Sequence, residues 1–327
     1  MTIHEEGGGG SDGRQKPRPE QTAVKKGAMW QFFVLLRELL QTVEEPPRRT
    51  NHKRLPLRDM LFILVTKVFF RLSSSDVCLF LDLFHPELWA GPIPHRNSVT
   101  NYMEMEWLRP ILEGLVGTSS KPLIPLSGVL FAIDSTPILA PGYYLSRDRK
   151  TKKLFERRNW FRLHMICDDL TGVVTAARAD SMHVAEQRYF EVLLGETMKS
   201  GFHVEAISAD KNYCTKANVR WAKDRGVQTY ITVKKNARRS KKNSDPAWDE
   251  NYERAKSDDQ EVRLKFHKRN RIESVNSALK SKYEEEVLSK SPAARYNEAL
   301  CKVICHNLIV LIRCSRQLGF TLNFEKK

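Results

Sequence analysis

The chain has 327 residues, a hydrophobic fraction of 41% and a formal net charge of +15 at pH 7, from 54 Lys and Arg against 39 Asp and Glu. This length and composition predict one substantial domain and a smaller one, and so basic a charge fits a polyanion partner such as DNA. No apolar run approaches the length of a membrane span and no signal-peptide core is visible, so we expect a cytoplasmic protein without a membrane partner.

The N-terminal third predicts a tail followed by helices. Residues 1–26 are rich in Gly, Pro and charge and are expected to form a disordered tail. Apolar periodicity predicts four helices, at residues 29–44, 57–71, 76–84 and about 98–116. Ser74 or Ser75 is expected to cap the third of them. We interpret residues 27–120 as a small all-α domain.

The stretch from His95 to Thr100 enters the fourth of these helices. Its position is typical of the start of a helix-turn-helix recognition element, and Arg96 within it is a candidate DNA contact. The alternative is a helical cap domain with no role in DNA recognition.

An α/β region follows. Short apolar runs predict strands at 129–134, 162–168, 172–179, 203–209 and 227–233. Pro137 is expected to end the first strand, and Asp169–Gly172 is expected to form the turn of a hairpin between the second and third. Helices are predicted at 184–199, 215–225, 267–289 and 293–317, and the polar basic segment 234–262 is predicted to be a mobile loop. The order β-β-β-α-β-α-β-α is that of the RNase H-like fold. We therefore expect a mixed five-stranded sheet flanked by helices in a domain at 127–320.

Three carboxylates stand at informative positions. Asp134 and Asp210 each follow an apolar strand, where a carboxyl end presents side chains for chemistry in α/β sheets. Glu273 is the only acid in the basic stretch 262–282, and Arg269 and Lys280 lie on the same helical face. The alternatives are turn or capping aspartates and an ordinary i,i+4 surface pair. Taken together, the three acids are the donor set that a pair of divalent cations about 3.5–4 Å apart needs for phosphoryl transfer.

These motifs resemble those of DDE transposases of the insertion-sequence four/five superfamily, found in bacterial and archaeal insertion elements. That family carries a Tyr-x2-Arg-x3-Glu-x6-Lys signature, matched here, with Phe for Tyr, by Phe266, Arg269, Glu273 and Lys280. The segment Asp134-Ser-Thr-Pro resembles the first catalytic motif, and Asp210-Lys-Asn-Tyr resembles the second, from which Asn212 and Cys214 depart.

The resemblance implies a transposase that cuts terminal inverted repeats and joins the freed 3′-hydroxyls to target DNA. Its catalytic and metal-binding residues would be Asp134, Asp210 and Glu273, with two Mg²⁺ ions as cofactor and Mn²⁺ as a substitute. Its partners would be double-stranded DNA, bound by the helical N-terminal domain at the element's ends, and a second copy in a synaptic homodimer. The DNA contacts implied within the catalytic domain are Arg269, Lys280, Lys211 and Phe266. Tyr213 and Trp221 are candidates for stacking on a displaced base, with core packing as the alternative for Trp221.

Two other functions remain open from the sequence. A metal-dependent DNA nuclease on the same fold would carry the same acids, and a domesticated DNA-binding protein would keep the fold without the chemistry. The six cysteines show no zinc-ligand spacing and are expected to be buried, reduced thiols.

Overall fold

The structure is a computed structural model and describes residues 19–46, 55–147, 151, 153–240, 245–319 and 324. Its strands are β1 (Leu130–Arg147), β2 (Leu154–Asp168), β3 (Val174–Ser181), β4 (Ala206–Ala209) and β5 (Gln228–Ile231). Five helices precede the sheet: α1 (Pro19–Gln41), α2 (Leu57–Phe70), α3 (Ser74–Leu83), α4 (Arg96–Met103) and α5 (Leu108–Ser120). Six lie within or after it: α6 (Tyr189–Lys199), α7 (Lys216–Lys223), α8 (Pro246–Lys256), α9 (Gln260–His267), α10 (Asn270–Tyr283) and α11 (Pro292–Leu318).

The five strands form one mixed sheet in the order β3-β2-β1-β4-β5. The strands β1, β2 and β3 are antiparallel neighbours, whereas β4 runs parallel to β1 and β5 runs parallel to β4. Helices cover both faces, and α11 and α5 pack on one side while α6 packs on the other. The predicted RNase H-like α/β fold, preceded by a helical region, is confirmed.

The first strand is much longer than predicted. It continues through Pro137 to Arg147, because β4 pairs with β1 only as far as Ile133. At Pro137 this edge of β1 is no longer paired with β4, so the missing N–H of the proline leaves no ladder hydrogen bond unmade. Two residues later the same edge is used differently, since the N–H of Leu139 donates to the carbonyl of Glu285 at 3.0 Å.

The helical boundaries also differ from the expectation. Residues 19–26, which we assigned to the disordered tail, form the first turns of α1, and residues 1–18 lie outside the described part of the chain. Ser73, not Ser74 or Ser75, caps α3, through a capping box with Asp76. The helix expected at about 98–116 is two helices, α4 and α5, separated by a turn after Met103.

The segment predicted to be a mobile loop at 234–262 contains the whole of α8 and the start of α9. Asp245 accepts a hydrogen bond from the N–H of Trp248, and Pro246 occupies the first helical turn, where its missing N–H costs nothing. The side-chain amide of buried Asn251 ties α8 to the sheet, since its Oδ1 accepts from the N–H of Ile231 at 3.2 Å and its Nδ2 donates to the carbonyl of Ile231 at 3.1 Å. Residues 241–244 of this segment lie outside the described residues.

A single hydrophobic core joins the N-terminal helices to one face of the sheet. It contains side chains from α1, α2, α5, α10 and α11 together with Leu163 and Met165 of β2. A second core, on the other face, lies beneath α6 and α7. Of the six cysteines expected to be buried, four are buried, whereas Cys78 and Cys214 are half-buried. Among the helices of the described residues, none combines the length and the apolar character needed to cross a membrane.

Candidate active site

Two aspartates lie side by side at the point where β1 and β4 separate. Ile133 of β1 pairs with Ala209 of β4 in parallel register, so Asp134 follows this pair within β1 and Asp210 follows it directly after the end of β4. Neighbouring strands lie roughly 4.8 Å apart, so the register alone brings the two backbones together. This is the carboxyl end of the parallel pair, where open α/β sheets place their reactive groups.

The third carboxylate reaches this place from α10. That helix packs against β1 and β2 through its buried stripe, in which Ile272 and Val275 are 0% and 3% exposed. Glu273 lies between these two residues in the sequence, and its side chain is 47% exposed. The apolar stripe therefore fixes the helix, and Glu273 projects from its margin toward the ends of the strands.

A single guanidinium joins two of the three acids. Arg269 precedes the first turn of α10, and its Nη1 donates to Oδ1 of Asp210 at 3.0 Å while its Nη2 donates to Oε1 of Glu273 at 2.8 Å. Both distances are those of well-formed N–H···O hydrogen bonds, here between oppositely charged groups. The pair with Glu273 spans one helical turn, whereas the pair with Asp210 spans 59 residues of sequence.

Asp134 sits in a less solvated environment than an ordinary surface aspartate. Burial, together with the smaller effect of the negative charges of Asp210 and Glu273, raises the pKa of Asp134 to about 6. The N–H of Ser135, which donates to Oδ1 of Asp134 at 2.8 Å, and the charge of Arg269 oppose this rise in pKa. The three carboxylates are thus close enough to influence one another electrostatically.

The donors suit a hard divalent cation, since all three are carboxylates and Asp134 is partly desolvated. Within the part of the chain that is described, no group of three or more His, Cys, Asp or Glu side chains is already arranged around a metal position. Instead of a metal position, the guanidinium of Arg269 lies between Asp210 and Glu273 and is paired with both. The residues fit divalent cations in type and charge, provided that this arginine moves.

The other expected DNA contacts occupy different surroundings. Lys280 lies in the last turn of α10, and its Nζ donates to Oε1 of Glu285 at 2.7 Å. Lys211 is exposed immediately after Asp210. Phe266 is half-buried at the end of α9 and packs edge-on against Tyr230, with ring centroids 5.5 Å apart. Arg96 is exposed at the start of α4, in the helical region rather than beside the acids.

The expectation that Tyr213 stacks on a base is wrong. Tyr213 is 0% exposed and belongs to the core beneath α6 and α7, so its ring faces protein. Trp221 is half-buried against that core, with the guanidinium of Arg225 3.8 Å from its ring centroid. The core-packing alternative therefore describes Trp221.

Sequence reasoning missed a polar cluster behind the aspartates. Arg162 of β2 forms an ion pair with Glu186, and Arg162 Nη1 also lies 3.5 Å from the hydroxyl of Ser135. The amide of Asn212 lies 3.5 Å from the other carboxylate oxygen of Glu186. The cluster thus spans from the residue after Asp134 to the loop after Asp210. No local pattern signals it, because its members come from separate segments.

A family model described as "Transposase DDE domain" matches residues 125–308, which include all three acids. The cryo-EM structure of the piggyBac transposase synaptic complex with hairpin DNA aligns over 89% of this chain and 77% of that chain, with 13% sequence identity and a TM-score of 0.44. No curated protein sequence matches the chain significantly. Because the family match spans more than half of the chain, the protein belongs to the transposase DDE domain family, the transposases of DNA transposition and recombination.

Proposed function

We propose that this transposase is of the insertion-sequence four/five type, from a bacterial or archaeal insertion element. It would cleave DNA at terminal inverted repeats and transfer the freed 3′-hydroxyls into target DNA, with Mg²⁺ as the physiological cation. The observation that carries the proposal is the convergence of Asp134, Asp210 and Glu273 from β1, β4 and α10, with Arg269 linking two of them.

Asp134, Asp210 and Glu273 are proposed to hold two divalent cations, and Mn²⁺ would substitute for Mg²⁺. When bound, such cations supply activation of a water or 3′-hydroxyl nucleophile and stabilise the leaving oxygen. Strands β1 and β4 contribute a fixed backbone, since the register that adjoins Asp134 and Asp210 leaves little freedom at the site. Glu273, carried on a separate helix, is the acid whose position depends most on packing.

Basic residues around the acids are proposed to bind the DNA backbone. Arg269, Lys280 and Lys211 would contact phosphates near the scissile bond, and Phe266 would pack beside them at the end of α9. Charge-assisted contacts to phosphate are stronger than solvated surface pairs, which favours this use of the three cations.

The helical region is proposed to bind the terminal repeats. Residues 27–120 would form this DNA-end-binding domain, with Arg96 at the start of α4 as a contact, and residues 127–320 would form the catalytic domain. Transposition acts on two DNA ends, so a homodimer in the synaptic complex is the expected assembly, in the cytoplasm and associated with the nucleoid.

The direct test uses the purified full chain, DNA flanking its own gene, and Mg²⁺ or Mn²⁺, beside the Asp134→Ala variant. We expect metal-dependent cleavage that leaves 3′-hydroxyls, followed by joining to a target plasmid, and neither reaction in the variant. Cleavage without joining would identify a nuclease. Binding without cleavage under either metal would identify a DNA-binding descendant and would contradict the proposal.

A further inference from the structure

The two bonds of Arg269 are unusual in what they connect. One partner is on the same helix and the other is at the end of β4, so the guanidinium bridges two elements that carry two different acids of the site. The neighbouring Lys268 makes an ordinary pair, with Asp169 at 2.7 Å. Arg269 alone, of these two adjacent cations, is directed between Asp210 and Glu273.

The guanidinium of Arg269 neutralises negative charge in a partly desolvated site, where unpaired carboxylates are destabilising. Three carboxylates that converge without a cation repel one another, and a partly desolvated site increases the penalty. The side chain of Arg269 is 31% exposed and that of Asp210 is 27% exposed, so the contact is partly shielded from solvent. A guanidinium fork matches two carboxylates geometrically in a way that a single ammonium does not.

We infer that Arg269 is an internal counter-cation that occupies the position between Asp210 and Glu273 in the DNA-free protein and competes with divalent cations for them. The inference rests on the proposed function, because it assigns the two acids to the cations of that reaction. Displacement of the guanidinium frees it at the moment when a DNA phosphate needs neutralising. Arg269 therefore opposes metal binding before DNA arrives and supports DNA binding afterwards.

This role predicts that loss of the Arg269 guanidinium strengthens Mn²⁺ binding, whereas loss of a residue that merely supports the site would weaken it. Loss of the guanidinium removes the competitor, so Arg269→Gln should bind Mn²⁺ about tenfold more tightly than the parent without DNA, as expected for loss of charge-assisted bonds to both acids. Arg269→Lys should lie between the two, because one ammonium replaces the bridging fork. Cleavage of DNA should fall in both variants.

The experiment measures free Mn²⁺ by electron paramagnetic resonance during titration of the full-length, DNA-free protein. Lys268→Gln is the matched control, since it removes the same charge one residue away and its partner, Asp169, lies outside the three acids. The control should keep the parental affinity. In an Asp210→Asn background, Arg269→Gln should give a much smaller gain, because one of the two contested ligands is gone.

Tighter Mn²⁺ binding by Arg269→Gln but not by Lys268→Gln supports the inference. Equal or weaker binding by Arg269→Gln and Arg269→Lys, an equal gain in the Lys268 control, or no Mn²⁺ bound by any protein overturns it. DNA cleavage by the parent is measured in parallel. Cleavage with no affinity gain defeats the counter-cation alone, whereas an affinity gain with no cleavage defeats the proposed function alone.

Discussion

Glu273 is the acid whose function and structural role are most easily separated. Its side chain is 47% exposed and its bond is to Arg269, so the core does not depend on it. Glu273→Gln should reduce DNA cleavage by more than about 100-fold, since even the loss of groups that only orient metal ligands costs about 10–100-fold.

DNA binding by Glu273→Gln should stay within a few-fold of the parent, as measured by fluorescence anisotropy in the presence of Ca²⁺. If binding is lost together with cleavage, Glu273 has a structural role and is not a metal ligand.

His164 offers a test of burial through pH. Its ring is 0% exposed, neither ring nitrogen has a hydrogen-bond partner among the described residues, and the ring of Tyr189 lies 4.3 Å away. Burial, helped by the positive charge of Arg162 and opposed by the negative charge of Asp180, lowers the pKa of His164 to about 4. The unfolded chain takes up a proton below about pH 6.5, whereas the folded protein resists it until about pH 4.

The protein should therefore lose up to about 3 kcal/mol of unfolding free energy through His164 as the pH falls from about 6.5 to about 4. His164→Phe should abolish this part of the loss and leave stability near pH 8 within about 1 kcal/mol of the parent. The measurement is urea unfolding at several pH values, with His183→Phe, an exposed histidine, as control. If the unfolding free energy of His164→Phe and of the parent varies identically with pH, protonation of the buried His164 ring does not destabilise the folded protein, and the prediction is wrong. His306, whose pKa burial also lowers to about 4, contributes equally to both proteins.

At the scale of elements, Asn307 of α11 holds the edge strand β3 in place. Its Oδ1 accepts from the N–H of Val174 at 2.9 Å, and its Nδ2 donates to the carbonyl of Val174 at 2.7 Å and to the hydroxyl of Ser119 at 2.9 Å. One amide thus joins α11, β3 and α5 inside the core. Its removal leaves the buried backbone groups of Val174 without partners.

Asn307→Ala should lower the unfolding free energy by about 2–4 kcal/mol, from those unpaired groups and the space left behind. Chemical denaturation measures it, and Asn101→Ala, an exposed asparagine on α4, should change stability by no more than about 0.5 kcal/mol. A loss as small as that of the control would mean that water replaces the amide without penalty.

Local signals predicted several elements and failed at others for physical reasons. The helix that follows Thr215, the hairpin at Gly172 and the end of β4 just before Asp210 follow from neighbouring residues, and the structure has them there. The extension of β1 through Pro137 depends on the absence of a neighbour on one edge, which no local pattern encodes. The start of α8 at Asp245-Pro was a readable signal, obscured by the basic residues that precede it.

The candidate site shows the same division between local and distant information. The spacing from Arg269 to Glu273 predicts their i,i+4 pair, and the structure contains it. The bond from Arg269 to Asp210, 59 residues away, is not predictable from spacing, and neither is the Arg162–Glu186 pair. These contacts depend on how β2, β4 and α10 come together after folding.

At the scale of the whole molecule, the net charge of +15 should make DNA binding strongly dependent on salt. Lys211, exposed beside Asp210, is a proposed phosphate contact, so Lys211→Ala should weaken binding a few-fold and reduce the slope of log K against log salt by about 1.

Lys199 is the matched control for this prediction. It is exposed at the end of α6 that leads toward the start of β4, the opposite end of that strand from Asp210. Lys199→Ala should leave the salt slope unchanged. Equal effects of the two substitutions would assign the contribution of Lys211 to net charge instead of contact.

The most direct test of the three-acid site is the anomalous scattering of Mn²⁺ in crystals of the full chain bound to one of its DNA ends. The account predicts Mn²⁺ peaks at ligand distance from the carboxylates of Asp134, Asp210 and Glu273, with Arg269 turned away from the acids toward a phosphate. Peaks confined to other carboxylates, such as those of Glu186 or Asp180, with Arg269 still between Asp210 and Glu273, would contradict it.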